Sequence, residues 1–313
     1  MEAIFNKSRA IGRTYQVASA LLIVYIVWGT TYLAINIAMQ TLPPLLMNGT
    51  RFVVAGAVML ILARRLDVAW PTPLQWRNSA LIGALMTFAA MGMVVLAQRL
   101  GIGSGLMATV VTSMPMWLAL WTRLGGERVP ATSWLGLALG VAGALVLSLE
   151  KDFSTTWLGS LCAFGAPLCW SLGSYASRKL SLPQPSMASG AQWLIGGGLG
   201  LVVSLIFEPE AASFELANVS LASAIAWLYL LVLGTLVTLN AYLWLLQNTS
   251  AAVAGSYSFV NPVVALCVGV LFGGESLTGW VYLAMPLILL ALGLILYGAT
   301  AVRYGRAWIH RRR

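Results

Sequence analysis

A helix needs about 20 consecutive apolar residues to cross the hydrocarbon of a bilayer, at about 1.5 Å of rise per residue. This chain offers ten such stretches, at approximately 17–39, 44–63, 78–98, 104–122, 132–149, 157–177, 187–207, 222–246, 251–272 and 279–300. In lipid every backbone N–H and C=O must find its partner within the protein, so only helices and closed barrels span. The runs are too long for barrel strands and do not alternate. They predict an all-α integral membrane protein with ten transmembrane helices. The longest connections, 64–77 and 208–221, leave no room for a separate soluble domain. Composition closes the other routes: 59% of the 313 residues are hydrophobic and 9% charged, with a mean hydropathy of +0.85. A soluble chain of this size has too little volume for its surface to hide so much apolar area. A soluble enzyme, a nucleic-acid-binding module and a secreted disulfide scaffold are thereby excluded. The expected partners are the lipid bilayer and a small-molecule solute, with no nucleic acid. Nothing in the sequence sets an oligomeric state, and a monomer is compatible with it.

The first span is too long for a cleavable signal peptide, and no small-residue cleavage site follows it. Basic residues give the orientation, because Lys and Arg accumulate on the cytoplasmic side. With a cytoplasmic N-terminus, 15 of the 18 basic residues lie inside, among them Arg64, Arg65, Arg123, Arg178, Lys179 and the Arg311–Arg313 tail. Only Arg99 and Lys151 fall outside, and Arg51 lies within a span. Both termini are predicted to be cytoplasmic, in a multi-pass protein of the inner membrane. The net charge of +9 then reads as cytoplasmic loops beside anionic lipid.

The chain also repeats itself. In the first half Ser104 opens a span, Met114-Pro115 sits mid-span and Gly125-Gly126-Glu127 closes it; Ser250, Asn261-Pro262 and Gly273-Gly274-Glu275 do the same in the second. Trp28 echoes Trp170, and the Gly56 region echoes Gly197. The period, about 140–150 residues, holds five spans. Five is odd, so the copies enter the membrane from opposite sides, a plan that puts a transporter's site near the midplane between the repeats. The expected division is a cytoplasmic segment 1–16, a first five-helix repeat 17–149, an inverted second repeat 150–300 and a basic cytoplasmic tail 301–313.

The run Trp28-Gly29-Thr30-Thr31-Tyr32, the Pro43-Pro44 turn followed by Arg51-Phe52, and the mid-span proline followed by Gly-Gly-Glu in both halves together resemble the drug/metabolite transporter superfamily. More narrowly, the chain is similar to its EamA-type exporters of ten helices, over roughly residues 17–300. The resemblance implies export of amino acids or similar small metabolites from the bacterial cytoplasm by alternating access. It leaves the solute open, since one scaffold carries many cargoes: a multidrug or a sugar- or nucleotide-type carrier of the same superfamily is the alternative.

Several residues could carry the chemistry. Pro115 and Pro262 each lack an N–H and free the carbonyl four residues back, that of Val111 and of Ser258. Both sites read as hinges or cavity linings, or else as packing kinks. Tyr257 and Asn261 are one turn apart and share a face, where they could hold an ammonium or a carboxylate; interhelical hydrogen bonding is the plainer role. Trp28, Tyr32 and Trp170 are aromatic residues away from span ends, suited to packing or to lining a pocket; Ser174 is a weaker candidate, with Thr31, Asn240 and Gln98. Trp70, Trp76, Trp157 and Trp308 read as interfacial anchors. Arg51 is the one charge well inside a span, about 10 Å along the helix from Pro44, where a charge is expensive. It snorkels, bonds helix-end carbonyls or attracts a carboxylate solute.

No Asp or Glu lies deep in a span, which favours facilitated diffusion over the carboxylate relays of proton antiporters. A single histidine, His310, and no Cys-x-x-Cys leave no metal site, no cofactor and no catalytic residues; Cys162, Cys169 and Cys267 read as buried thiols. An intramembrane enzyme would need a catalytic cluster that is not seen. A channel would usually show a polar or charged ring or a filter loop.

Overall fold

The structure, a computed structural model, describes residues 2–127, 131–147, 156–249, 257–274 and 279–311. Among these the chain is helical, without a strand. The rods are α1 (Glu2–Ala38), α2 (Pro44–Arg65), α3 (Pro73–Arg99), α4 (Ser104–Leu124), α5 (Ala131–Leu147), α6 (Trp157–Ser177), α7 (Pro185–Phe207), α8 (221–248), α9 (Tyr257–Gly273) and α10 (Gly279–Arg311). Each falls on one of the ten expected apolar stretches. Six contain segments long and apolar enough to cross a membrane: Arg13–Ala38, Pro44–Arg65, Pro73–Arg99, Ser104–Leu124, Pro185–Phe207 and Leu221–Tyr242. Trp134–Gly143, Val260–Gly273 and Gly279–Ala291 are shorter apolar stretches. Leu205, Phe207, Leu271, Phe272, Tyr282 and Leu290 stand more than half exposed, as side chains facing acyl chains would. Cys267 is exposed on α9, contrary to the buried reading, whereas Cys162 is buried. A thiol behaves as a small hydrophobe, so an outward position on an apolar helix costs it little. Ser250 and Glu275 of the repeat motif lie outside the described residues.

Local chemistry sets the ends of the rods. Pro44, Pro73 and Pro185 each open a helix where the missing N–H has no partner to lose. Thr72 and Gln75 close a reciprocal capping box on α3. The first N–H groups of α2 are capped from another helix. Glu208, just past the end of α7, accepts from Leu45 N at 2.8 Å, Leu46 N at 3.1 Å and Ser204 Oγ at 2.6 Å.

The strongest helix pairings recur when each of the first five rods is exchanged with its counterpart in the second five. α2 packs on α7, α5 on α10 and α4 on α9; α1 packs on α8 and α9, just as α6 packs on α3 and α4. Glycines bring the central pair together. A Cβ on Gly56 would lie 2.5 Å from Leu194 N, and one on Gly197 would lie 2.7 Å from Val53 N. These contacts are mirror images at an offset of 141 residues. They place backbone on backbone, as small residues do where membrane helices associate.

Two features were not visible in the apolar pattern. α3 passes through a π-helical segment at Gly83–Ala90, and α8 through another at Leu230–Val237. Each is a local widening of the helix, of a kind frequent at functional sites. In α8 it is held by side chains that reach back five residues, Thr235 Oγ1 to Leu230 O at 2.9 Å and Thr238 Oγ1 to Leu233 O at 2.7 Å.

Candidate functional site

Between the two sets of five rods lies a cavity of about 170 Å³. Its walls come from α1, α2, α3, α4, α6, α7, α8 and α9. Aromatic rings dominate: Trp28 from α1, Phe52 from α2, Trp170 from α6 and Trp193 from α7 all face it. Trp28 is oriented by its indole N–H, which donates to the Gly234 carbonyl in the π segment of α8 at 3.1 Å. Its ring meets Tyr257 edge-on, centroids 5.1 Å apart, and Tyr242 at 5.3 Å. Such tilted pairs hold one another in place. Phe52 and Trp193 face each other across the α2–α7 seam at 6.5 Å.

Besides threonine and tyrosine hydroxyls, one guanidinium and one amide interrupt the apolar wall. Arg51 is 2% exposed and Asn261 8%. The Arg51 guanidinium makes one hydrogen bond, donating to Asn48 Oδ1 at 2.6 Å, and lies 4.4 Å from the centroid of the Phe52 ring. Its Nε–H is buried without a partner, and so is the amide oxygen of Asn261. A buried polar atom left unbonded costs about 1–3 kcal/mol, and more when charged. Both side chains line the cavity. Together they offer a solute a cationic donor and an amide that both donates and accepts.

Seven of the nine residues singled out in the sequence line this cavity: Trp28, Tyr32, Arg51, Pro115, Trp170, Tyr257 and Asn261. Ser174 and Pro262 do not. Ser174 Oγ donates to the Trp170 carbonyl at 2.9 Å, one turn back on its own helix. The two proline sites also differ. Helix α4 is interrupted at Thr112–Ser113, just before Pro115, where N–H groups bond three residues back rather than four. α9 runs unbroken through Pro262. Of the weaker candidates Thr31 lines the cavity. Gln98 instead ties α3 to α1 through Tyr32 O and Asn36 Oδ1, both at 2.9 Å. Phe52 and Trp193 were missed as site residues. Their offset, 141, is that of Gly56 and Gly197, and it would have paired them.

One ion pair is seen among the described residues. Lys179 Nζ, after α6, meets Glu127 Oε1, after α4, at 2.5 Å, both about half exposed. The Lys179 ammonium holds the Glu127 carboxyl below its ordinary value, and Glu127 raises Lys179 in turn. This pair bridges the ends of two helices whose inner turns line the cavity.

The pattern of the EamA-like transporter family matches twice, at residues 17–149 and 157–297. The chain is 34% identical over 279 residues to "Uncharacterized inner membrane transporter YedA" of Escherichia coli strain K12, an alignment covering 89% of this chain and 90% of that protein. It is 26% identical over 286 residues to the "Probable amino-acid metabolite efflux pump" of the same organism, covering 88% and 93%. One crystal structure superposes with a TM-score of 0.63 at 22% identity, over 91% of this chain and 99% of that one. At that identity the likeness is one of fold.

Proposed function

The chain belongs to the EamA-like transporter family of membrane transporters for small metabolites, and from that premise we propose that it exports amino acids or similar small metabolites across the inner membrane by alternating access. The two family copies act as inverted five-helix halves around the central cavity. The observation that carries this reading is the origin of the lining. Trp28, Tyr32 and Arg51 come from the first copy, and Trp170, Trp193, Tyr257 and Asn261 from the second. A solute held there touches both halves, so rocking one against the other releases it. The mixture of aromatic faces with an amide and a guanidinium suits a compact solute with one polar end and an apolar side chain. A neutral amino acid, aromatic ones included, fits that description. In a low-dielectric cavity its charged end must be hydrogen-bonded, and Asn261 and Arg51 have bonds to give.

Among the lining residues described there is no Asp or Glu. That argues against the lipophilic cations of multidrug carriers and supports facilitated movement over proton exchange. The distribution of basic residues supports cytoplasmic termini. The test is uptake of a panel of radiolabelled neutral amino acids into proteoliposomes, with and without a pH gradient. Saturable flux that persists when the pH gradient and membrane potential are removed is expected. Flux that vanishes under those conditions overturns the facilitated mechanism, and the absence of saturable flux for every amino acid overturns the cargo.

A further inference from the structure

The carrier reading leaves open which part of the solute is recognised. Resting on that reading, we infer that Arg51 is the anchor for a carboxylate on the solute, and that the solute's ammonium, where it has one, is dispensable for binding.

The argument starts from a charge without a counter-charge. A guanidinium keeps its proton in proteins and has five N–H donors in a rigid fork. Arg51 commits one of them, to the neutral amide of Asn48, and its Nε–H is buried and unbonded. Buried charges are ordinarily paired, because the cost of removing an ion from water is several kcal/mol. The acids whose side chains are described are occupied elsewhere or absent from the cavity lining. Glu208 is committed to Leu45 N, Leu46 N and Ser204, and Glu127 to Lys179. Asp67, Glu210 and Glu215 lie in connections between rods and do not line the cavity. The Phe52 ring covers one side of the cation, a partial compensation that carries no formal charge. The neutralising anion therefore enters with the solute.

The same inventory selects the class of anion. A planar fork matches a carboxylate through parallel N–H bonds. Lys and other Arg residues are missing from the described lining, so a phosphate dianion would remain under-neutralised. Toward an ammonium the described lining has the Asn261 amide, threonine and tyrosine hydroxyls and ring faces, all neutral and weaker partners than a carboxylate. The site thus fits a monocarboxylate with an apolar body.

Three probes of matched size separate the groups: L-phenylalanine, 3-phenylpropionate, which keeps only the carboxylate, and phenethylamine, which keeps only the ammonium. Each is titrated against the purified full-length protein in detergent, and thermal unfolding reads binding independently of flux. Both acids are expected to raise the melting temperature, with affinities at least about tenfold above phenethylamine, the discrimination a hydrogen-bonded charge typically supplies. Arg51→Met abolishes the stabilisation by both acids, and Arg51→Lys retains part of it. Should Arg51→Met not fold, the probe ranking on the wild-type protein and the Arg51→Lys titration decide. Equal binding of phenethylamine, no stabilisation by either acid, or undiminished acid affinity in Arg51→Met would overturn the inference. Saturable proteoliposome flux alongside any of those results would leave the carrier reading standing, with a different recognition group.

Discussion

The seam between α2 and α7 carries both halves of the cavity's Phe52–Trp193 pair, so its spacing sets the width of the site. Glycine makes that spacing. A methyl group on Gly197 would lie 2.7 Å from Val53 N and 2.9 Å from both Gly49 O and Phe52 Cβ; one on Gly56 would lie 2.5 Å from Leu194 N and 2.8 Å from Gly190 O. These neighbours are mostly backbone atoms, which no rotamer change can move. Ordinary contact needs about 3.5 Å, so the helices must part by roughly 0.6–1 Å to admit either methyl. Overpacking of this kind costs about 1–3 kcal/mol. Gly198, next in sequence, supplies the control: a Cβ there meets nothing within 4 Å. Gly56→Ala and Gly197→Ala are each expected to lower the melting temperature of the purified protein by several degrees, while Gly198→Ala leaves it unchanged. The double variant should cost less than the sum, because helices already parted by the first methyl accommodate the second. If Gly56→Ala and Gly197→Ala melt with Gly198→Ala, the close approach of these two helices is not what holds the central pair.

Other expectations follow from single contacts. Asn261→Ala and Trp170→Ala should each impair flux with expression and melting nearly intact, Asn261→Ala by about ten- to hundred-fold in solute affinity; Trp157→Ala, 78% exposed, should affect expression more than affinity, and wild-type transport by both site variants would rule out the central cavity. Glu208→Ala removes the acceptor of two α2 N–H groups and should destabilise by about 0.5–2 kcal/mol, measured by thermal unfolding; an unchanged melting temperature would show water replacing it. The Glu127–Lys179 pair stabilises above the ordinary carboxylate value, because the Glu127 carboxyl is depressed in the fold. Its contribution is lost as pH falls through that lowered value and, because Glu127 raises Lys179, again as pH rises through the raised lysine value, so Lys179→Gln should flatten both limbs of a melting-temperature profile. A periplasm-dependent reporter fused after residue 313 should be inactive and one inserted within 209–218 active; the reverse would invert the topology.

The rods were legible because lipid admits so few alternatives: a run of 20 apolar residues has to close its hydrogen bonds locally, whatever its neighbours do. The π segments were not, because the extra residue in Gly83–Ala90 or Leu230–Val237 leaves hydrophobicity unchanged and answers to packing. The repeat was legible only coarsely. Gly56 and Gly197 are 141 residues apart, Pro115 and Pro262 147. The difference accumulates in the link after α7, residues 208–220, six longer than its counterpart 66–72. A single blurred period hides the Phe52–Trp193 pairing that a stepwise one exposes.

Polar residues in spans posed the harder problem, since a short side chain can satisfy itself. Thr31, Thr50, Thr109, Thr122 and Ser174 each donate to a carbonyl three or four residues back on their own helix, and Asn240 and Asn248 do likewise. Such local bonds discharge the cost of a polar group in lipid without any partner helix or solute. Counting polar residues in a span therefore overstates the candidates, as it did for Ser174. Arg51 and Asn261 belong to the same inventory of polar residues, yet Arg51 keeps an uncommitted Nε–H and Asn261 an uncommitted amide oxygen at the cavity. That distinction depends on which carbonyls the folded helices leave within reach. An unspent cationic donor costs more than a neutral one, and a solute passing between the halves is the partner the cavity provides.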